Sequence, residues 1–308
     1  MRVASLDIGT NSVLLLVAER DQQGSIRALL ERATITRLGE GVDRTRELLP
    51  AASERTLECL RDYAAQLARF GVDRVAAVGT SALRDARGGA EFTARAAEVL
   101  GAAPEIISGP REAALTFAGS LAGLDVPKER GVSVFDVGGG STEIVSGRLD
   151  ARGRPELGPA VSLDIGSVRL FERHVTHDPP TAAELEAVSD DVDRALARVP
   201  AVSGEHLVGV AGTVTTLASV ALELESYDSA LVHGHVLDRE TVSRVVQTLT
   251  TTPLATRKTL RGLEPRRADV IVTGAVLVER VLAWSALPKL IVSDRGVRWG
   301  LAAELLAE

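Results

Sequence analysis

Two stretches of the chain place an aspartate ahead of glycine and hydroxyl residues in the same order. Asp7 is followed by Gly9, Thr10, Asn11 and Ser12; Asp136 is followed by Gly138, Gly139, Gly140, Ser141 and Thr142. Apolar residues flank both stretches, so each reads as strand, glycine turn, strand. Glycine lets the backbone approach a ligand closely, consecutive turn N–H groups form an anion concavity, and Ser and Thr hydroxyls add donors. The chemistry this suits is phosphate binding, with each aspartate facing a metal ion rather than the phosphate. One such loop is a weak signal, because glycine hairpins are common. Two of them, half a chain apart, suggest a duplicated fold with a cleft between its halves.

Other residues extend the pattern. A carboxylate at the end of an apolar strand is costly unless it is solvated, paired or metal-bound, although a hairpin-capping turn also places Asp there. Glu143 lies seven positions after Asp136, across the hairpin, which puts both within reach of one ion. Mg2+ suits such a pair, since it takes one or two carboxylates with waters and phosphate oxygens. Glu112 follows the loop Ser108-Gly109-Pro110 in what reads as a first helical turn. The helix dipole alone accounts for an acid there, and a carboxylate near a cleft can also orient or deprotonate water. Thr80, Ser81 and Arg84 follow another apolar strand and suit an anion; the alternative is a helix cap with a surface Arg. Gly212 and Thr213 mark a third strand-to-helix junction that either lines a pocket or is simply a tight turn. The basic stretch from Arg257 to Arg267 reads as a solvated helix face or as a docking stripe for a polyanion. His233 and His235 lack a third metal ligand and read as loop or cleft lining.

These residues need an α/β scaffold. Strands read at 3–7, 12–18, 26–36, 74–79, 105–107, 161–165 and 206–210, and helices at 53–70, 89–100 and 111–123. In the first helix Leu57, Leu60, Ala64 and Leu67 recur at helical spacing, with Ser53 as N-cap and Gly71 as the closing residue. Residues 126–131 read as a link, and the division falls near residue 123: 1–123 carries the first loop and 124–308 the second, with the last helix free to pack back on the first half. At 308 residues, each half is large enough for its own core. Hydrophobic content of 45% with only 3% aromatics means cores built from Ala, Val and Leu. The single cysteine, Cys59, rules out an internal disulfide and a cysteine-rich zinc site, and reads as a small buried hydrophobe. A net charge of −7 argues against broad nucleic-acid binding, and no apolar run is long enough to span a bilayer, so the expected setting is cytoplasmic.

Taken in order, the motifs resemble those of the Ppx/GppA phosphatases, within the actin, Hsp70 and sugar kinase superfamily. The likeness runs almost end to end: Asp7 to Ser12, Thr80 to Arg84, Ser108-Gly109 with Glu112-Ala113, Asp136 to Glu143, and Gly166 to Leu170. It continues through Gly209 to Leu217, Val232-His233-Gly234, Arg267-Ala268-Asp269 and Gly296-Val297-Arg298. The resemblance implies two ribonuclease-H-like domains around a central cleft, and a need for Mg2+. It implies exopolyphosphatase activity, guanosine pentaphosphate phosphohydrolase activity, or both. Glu112 would position or activate water, Asp136 and Glu143 would serve the metal, and the two glycine loops would hold phosphates. A homodimer is among the assemblies it allows. A phosphotransferase of the same superfamily and a non-catalytic phosphate sensor are the alternatives from other classes.

The chain departs from the family pattern at four positions. Leu14 stands where a basic or polar residue is usual, Gly88 where Asn is common, Arg111 where many have an acid, and Trp299 where Glu is common. Leu14 is expected to weaken one phosphate contact and Arg111 to restore positive charge nearby. The chain also stops before the helical domains of long members, so the expectation is a preference for short polyphosphate.

Overall fold

Continuous apolar runs such as Val13–Val17 suit strands buried on both faces, and the computed structural model, which describes residues 1–200 and 204–307, is an α/β protein with two mixed sheets. The first sheet holds β1 (Arg2–Ile8), β2 (Ser12–Arg20), β3 (Ile26–Ile35), β4 (Arg74–Gly79) and β5 (Glu105–Ile106), in the order β3-β2-β1-β4-β5. The second holds β6 (Gly131–Val137), β7 (Thr142–Leu149), β8 (Pro155–Leu163), β9 (His206–Val210), β10 (Val236–Asp238) and β11 (Lys289–Val292), in the order β10-β11-β9-β6-β7-β8. Each begins with an antiparallel meander, β1-β2-β3 or β6-β7-β8. Each then adds parallel strands beside the first, β4 and β5 or β9 and β11. Strand order and direction therefore repeat, with β10 as an added antiparallel edge.

The backbone divides into Met1–Gly119 with Val297–Glu308, and Ser120–Gly296. The division read from sequence, at residue 123, falls inside the second of these, and the last helix counts with the first.

In the first unit, one face of the sheet buries Leu6, Ile8, Val13 and Leu15 against Leu57, Leu60 and Tyr63 of the Pro50–Phe70 helix. Cys59 is buried in the same core, where desolvation pushes its thiol above the ordinary range. The other face buries Val3, Leu16 and Ala18 under Trp299, Ala302 and Leu305 of the Val297–Ala307 helix. Trp299 is thus a core residue, and its indole Nε1 donates to Glu31. The Pro50–Phe70 helix starts three residues ahead of the expected Ser53 cap. Pro50 takes N1, where its fixed φ and missing N–H cost nothing, and Leu49 is the N-cap. Gly71 closes the helix at φ 58. In the second unit, Phe135, Val137 and Ile144 pack with Val214 and Leu217 of the Ala211–Ala221 helix and with Ile271 and Ala275 of the Ile271–Trp284 helix. Among the described residues no helix is long and apolar enough to cross a membrane.

Candidate active site

The loop between β1 and β2 is closed by one bond, Gly9 N–H to the Ser12 carbonyl at 3.0 Å. Its carbonyls are taken by a collar that follows β3. Thr36 N and Arg37 N donate to the Asn11 carbonyl at 3.1 and 3.0 Å, and Gly39 N donates to the Thr10 carbonyl at 2.9 Å. Arg37 adopts φ 52 to do so, a left-handed conformation that is uncommon outside glycine and marks local strain. With the carbonyls turned to the collar, the amides of Thr10 and Asn11 carry no hydrogen bond among the described residues. The Asn11 Oδ1 atom is also buried without a partner, an arrangement that costs about 1–3 kcal/mol unless something binds there.

The loop between β6 and β7 has the same construction. Gly138 N donates to the Ser141 carbonyl at 3.0 Å. The collar here is the start of the Ser167–His174 helix. Ser167 N reaches the Gly138 carbonyl at 2.9 Å, Val168 N and Arg169 N reach that of Gly139 at 2.9 and 3.0 Å, and Arg169 Nε reaches that of Gly140 at 2.7 Å. The amides of Gly139 and Gly140 likewise carry no hydrogen bond among the described residues. Each loop therefore presents adjacent backbone donors with no internal acceptor, which is the chemistry of an anion nest. Thr142 is not part of that donor set. It is fully buried, and its hydroxyl donates to the Ile165 carbonyl at 2.7 Å, supporting the scaffold behind the loop.

Asp136 and Glu143 are direct register partners across β6 and β7, so their carboxylates leave the same face of the sheet. Asp136 is half-buried and Glu143 is 1% exposed. Ser162, the partner of Glu143 on β8, donates its hydroxyl to Glu143 Oε1 at 2.7 Å and fixes that side chain. Two acids placed opposite one another repel unless a cation lies between them. The donors are hard oxygens, and among the described residues no group of three His, Cys, Asp or Glu forms a closed cage. That set fits Mg2+, which takes few carboxylates and completes its shell with waters and phosphate oxygens.

Asp7, at the end of β1, lies across from Leu14 on β2 and Val78 on β4. Beyond β4, Thr80 and Ser81 are buried, and Ser81 Oγ bonds Thr10 Oγ1 at 2.8 Å, joining this turn to the first loop. Glu112 is 7% exposed in the first turn of the Gly109–Ser120 helix, with its amide bonded to the Ser108 carbonyl. Arg84 NH1 donates to Glu112 Oε2 at 3.1 Å and to the Ile107 carbonyl at 3.0 Å. Arg84, expected from sequence to meet phosphate, is therefore turned onto Glu112 and holds one carboxylate oxygen. A buried carboxylate braced by a guanidinium at a helix start can orient a water.

The strand-to-helix junction after β9 has no intervening turn. Ala211 begins the Ala211–Ala221 helix at φ 73, another strained non-glycine position. Thr213 is buried with its hydroxyl 3.5 Å from the Val137 carbonyl, behind the second loop. Gly212 carries the Arg267 guanidinium on its backbone, so close that a Cβ there would lie 2.1 Å from it. Arg267 belongs to the motif Arg267-Ala268-Asp269 and to the basic run, but its place beside Gly212, 55 residues earlier, is not disclosed by sequence spacing. The rest of that run is divided between core and surface. Arg257 is 1% exposed and bonds the Leu249, Thr252 and Ala268 carbonyls, while Arg261 and Arg266 pair with Glu225 and Glu264. His233 is wedged between the Ala122 carbonyl and Asp294.

The departures from the family pattern are placed too. Leu14 is the cross-strand partner of Asp7 on β2, and Gly88 caps the Gly89–Leu100 helix at φ 88. Arg111 does not restore the charge, because its guanidinium forks onto Glu304.

The sequence model of the Ppx/GppA phosphatase family matches residues 16–308. Exopolyphosphatase 2 of Mycobacterium tuberculosis is 38% identical over 320 residues, covering 99% of this chain and 98% of that protein. The crystal structure of an exopolyphosphatase-like protein, 34% identical, superposes with a TM-score of 0.92 over 100% of this chain and 99% of its own. That of the Aquifex aeolicus member of the Ppx/GppA family, 36% identical, superposes with a TM-score of 0.82 over 100% of this chain and 98% of its own.

Proposed function

The chain belongs to the Ppx/GppA phosphatase family, and we propose that it is an exopolyphosphatase that releases terminal orthophosphate from inorganic polyphosphate. The observation that carries the reading is the repeated loop: two hairpins, each with carbonyls turned into a collar and adjacent amides left for an anion. The repeated strand order supports reading each unit as a ribonuclease-H-like domain.

In this reading the amides of Thr10 and Asn11, and separately those of Gly139 and Gly140, each bind phosphate oxygens. Asp136 and Glu143 would hold Mg2+. Bound there, the ion would neutralise phosphate charge and favour departure of the shortened chain. Arg84 fixes Glu112, and Glu112 aligns a water in line with the terminal bridging bond. Water oxygen attacks the terminal phosphorus, its proton passes to Glu112, the bridging P–O bond breaks, and orthophosphate leaves with the shortened chain. Phosphoryl transfer needs positioning and charge neutralisation more than covalent help, and these residues supply both.

The test is orthophosphate release with Mg2+ from short polyphosphate, long polyphosphate and guanosine pentaphosphate side by side. Release from polyphosphate, best from short chains, is the expected result. Release from guanosine pentaphosphate alone replaces the substrate assignment. ADP-dependent loss of polyphosphate without free orthophosphate replaces hydrolysis by phosphotransfer.

A further inference from the structure

Arg111 stands beside Glu112 and has no part in the reaction just described. Its NH1 donates to Glu304 Oε1 at 2.7 Å and its NH2 to Glu304 Oε2 at 2.5 Å, a two-point fork between the Gly109–Ser120 and Val297–Ala307 helices. The two side chains are 39% and 44% exposed, and a pair that accessible contributes only about 0–1 kcal/mol to stability. What a fork supplies is geometry: a planar guanidinium on a carboxylate fixes distance and rotation together.

A second contact lies one turn away on both helices. Gly300 sits against the Leu115 carbonyl, where a Cβ would come within 2.1 Å, so only glycine permits this approach. Arg111 to Glu304 and Leu115 to Gly300 are each four residues apart on their own helix, so the two contacts share one helix face. Leu115 also packs with Val297 and Leu301. The last helix is a firm anchor. Ser5 Oγ donates to the Arg298 carbonyl at 2.6 Å, Arg298 pairs with Glu31, and Arg20 and Arg74 donate to the terminal carbonyls of Leu306 and Leu305.

We propose that Glu304, acting through Arg111, is a positioning residue for Glu112. The fork sets the rotation of the first turn that carries the Glu112 carboxylate, and Arg84 then braces that carboxylate from the other side. The role rests on the proposed hydrolysis and assigns the last helix a part in it.

The test measures kcat and KM for orthophosphate release from tripolyphosphate, with thermal melts, for wild type, R111A, E304A, the double variant and the exchange R111E/E304R. Each alanine variant should lower kcat about 10-fold, within the range that small misplacements of a catalytic group produce. KM should stay within about 2-fold, the double variant should be no worse than either single, and the exchange should recover most of kcat. Unchanged kcat in the singles overturns the proposal. So does a rise in KM at constant kcat, which would make Arg111 a substrate contact. A loss of kcat that the exchange fails to restore while the protein melts normally overturns it as well. No release by wild-type protein from any of the phosphate substrates removes the proposed function and this role with it.

Discussion

Glu143→Gln should make the protein more stable without metal and blind to it. Asp136 and Glu143 are direct cross-strand partners, so their Cβ atoms lie about 5 Å apart. Two unit charges at about 5 Å interact by about 3 kcal/mol at an effective dielectric near 20. Opposite-charge cross-strand pairs are worth less than this, about 0.2–1 kcal/mol, and like charges directly opposite destabilise. With Glu143 1% exposed and Asp136 half-buried, the cost should fall between these, near 1 kcal/mol. The glutamine keeps an acceptor for the Ser162 hydroxyl. Without metal the variant should melt about 2–4 °C above wild type. At Mg2+ about tenfold above its Kd, wild type gains about 1.4 kcal/mol, or roughly 3–6 °C, and the variant gains nothing. The assay is a thermal melt with and without Mg2+, and it needs no turnover. A variant that melts below wild type without metal and still gains stability with Mg2+ would refute the metal assignment.

Three further outcomes follow from particular contacts. Arg84→Ala should lower kcat by about 10²-fold at nearly constant KM in steady-state phosphate release, because it frees the Glu112 carboxylate; a KM effect alone would make Arg84 a phosphate contact. Arg257→Ala should cost about 1–3 kcal/mol in urea unfolding, since it removes the donor to the Leu249, Thr252 and Ala268 carbonyls. Burial alone would raise the Asp191 carboxyl, but His174 and Arg173 override it and hold the group below its ordinary value. The unfolded chain then takes up that proton more readily, so this stabilisation is present above about pH 4 and is lost as pH falls further. Asp191→Asn should flatten the melting temperature against pH in that acidic range, and an unchanged profile would contradict it.

The loops were legible because their signal is local. Aspartate, glycine and hydroxyl residues at fixed offsets dictate a hairpin wherever they occur, and a seven-residue offset put Glu143 opposite Asp136. Glu112 was legible as a helix start. What sequence did not disclose is where polar side chains spend their hydrogen bonds. Arg84 reads as a phosphate ligand by position, yet it closes onto an acid 28 residues away. Arg111 reads as compensating charge, yet it is held by an acid 193 residues away. Thr142 belongs to the loop by motif, but its hydroxyl is used behind it. The collar at 36–39 has no compositional mark at all, because it works through backbone amides. The first long helix starts at Pro50 rather than Ser53 for a simpler reason: proline at N1 fits a helix start that has no hydroxyl cap.

Glu112 is assigned the alignment of the attacking water in a polyphosphate hydrolase. Single-turnover orthophosphate release from short polyphosphate with Mg2+, for wild type and Glu112→Gln, tests it most directly. Wild type should release orthophosphate, and the variant should lose about 10²–10⁴-fold with unchanged melting and unchanged Mg2+ stabilisation. Release by Glu112→Gln at the wild-type rate would contradict it.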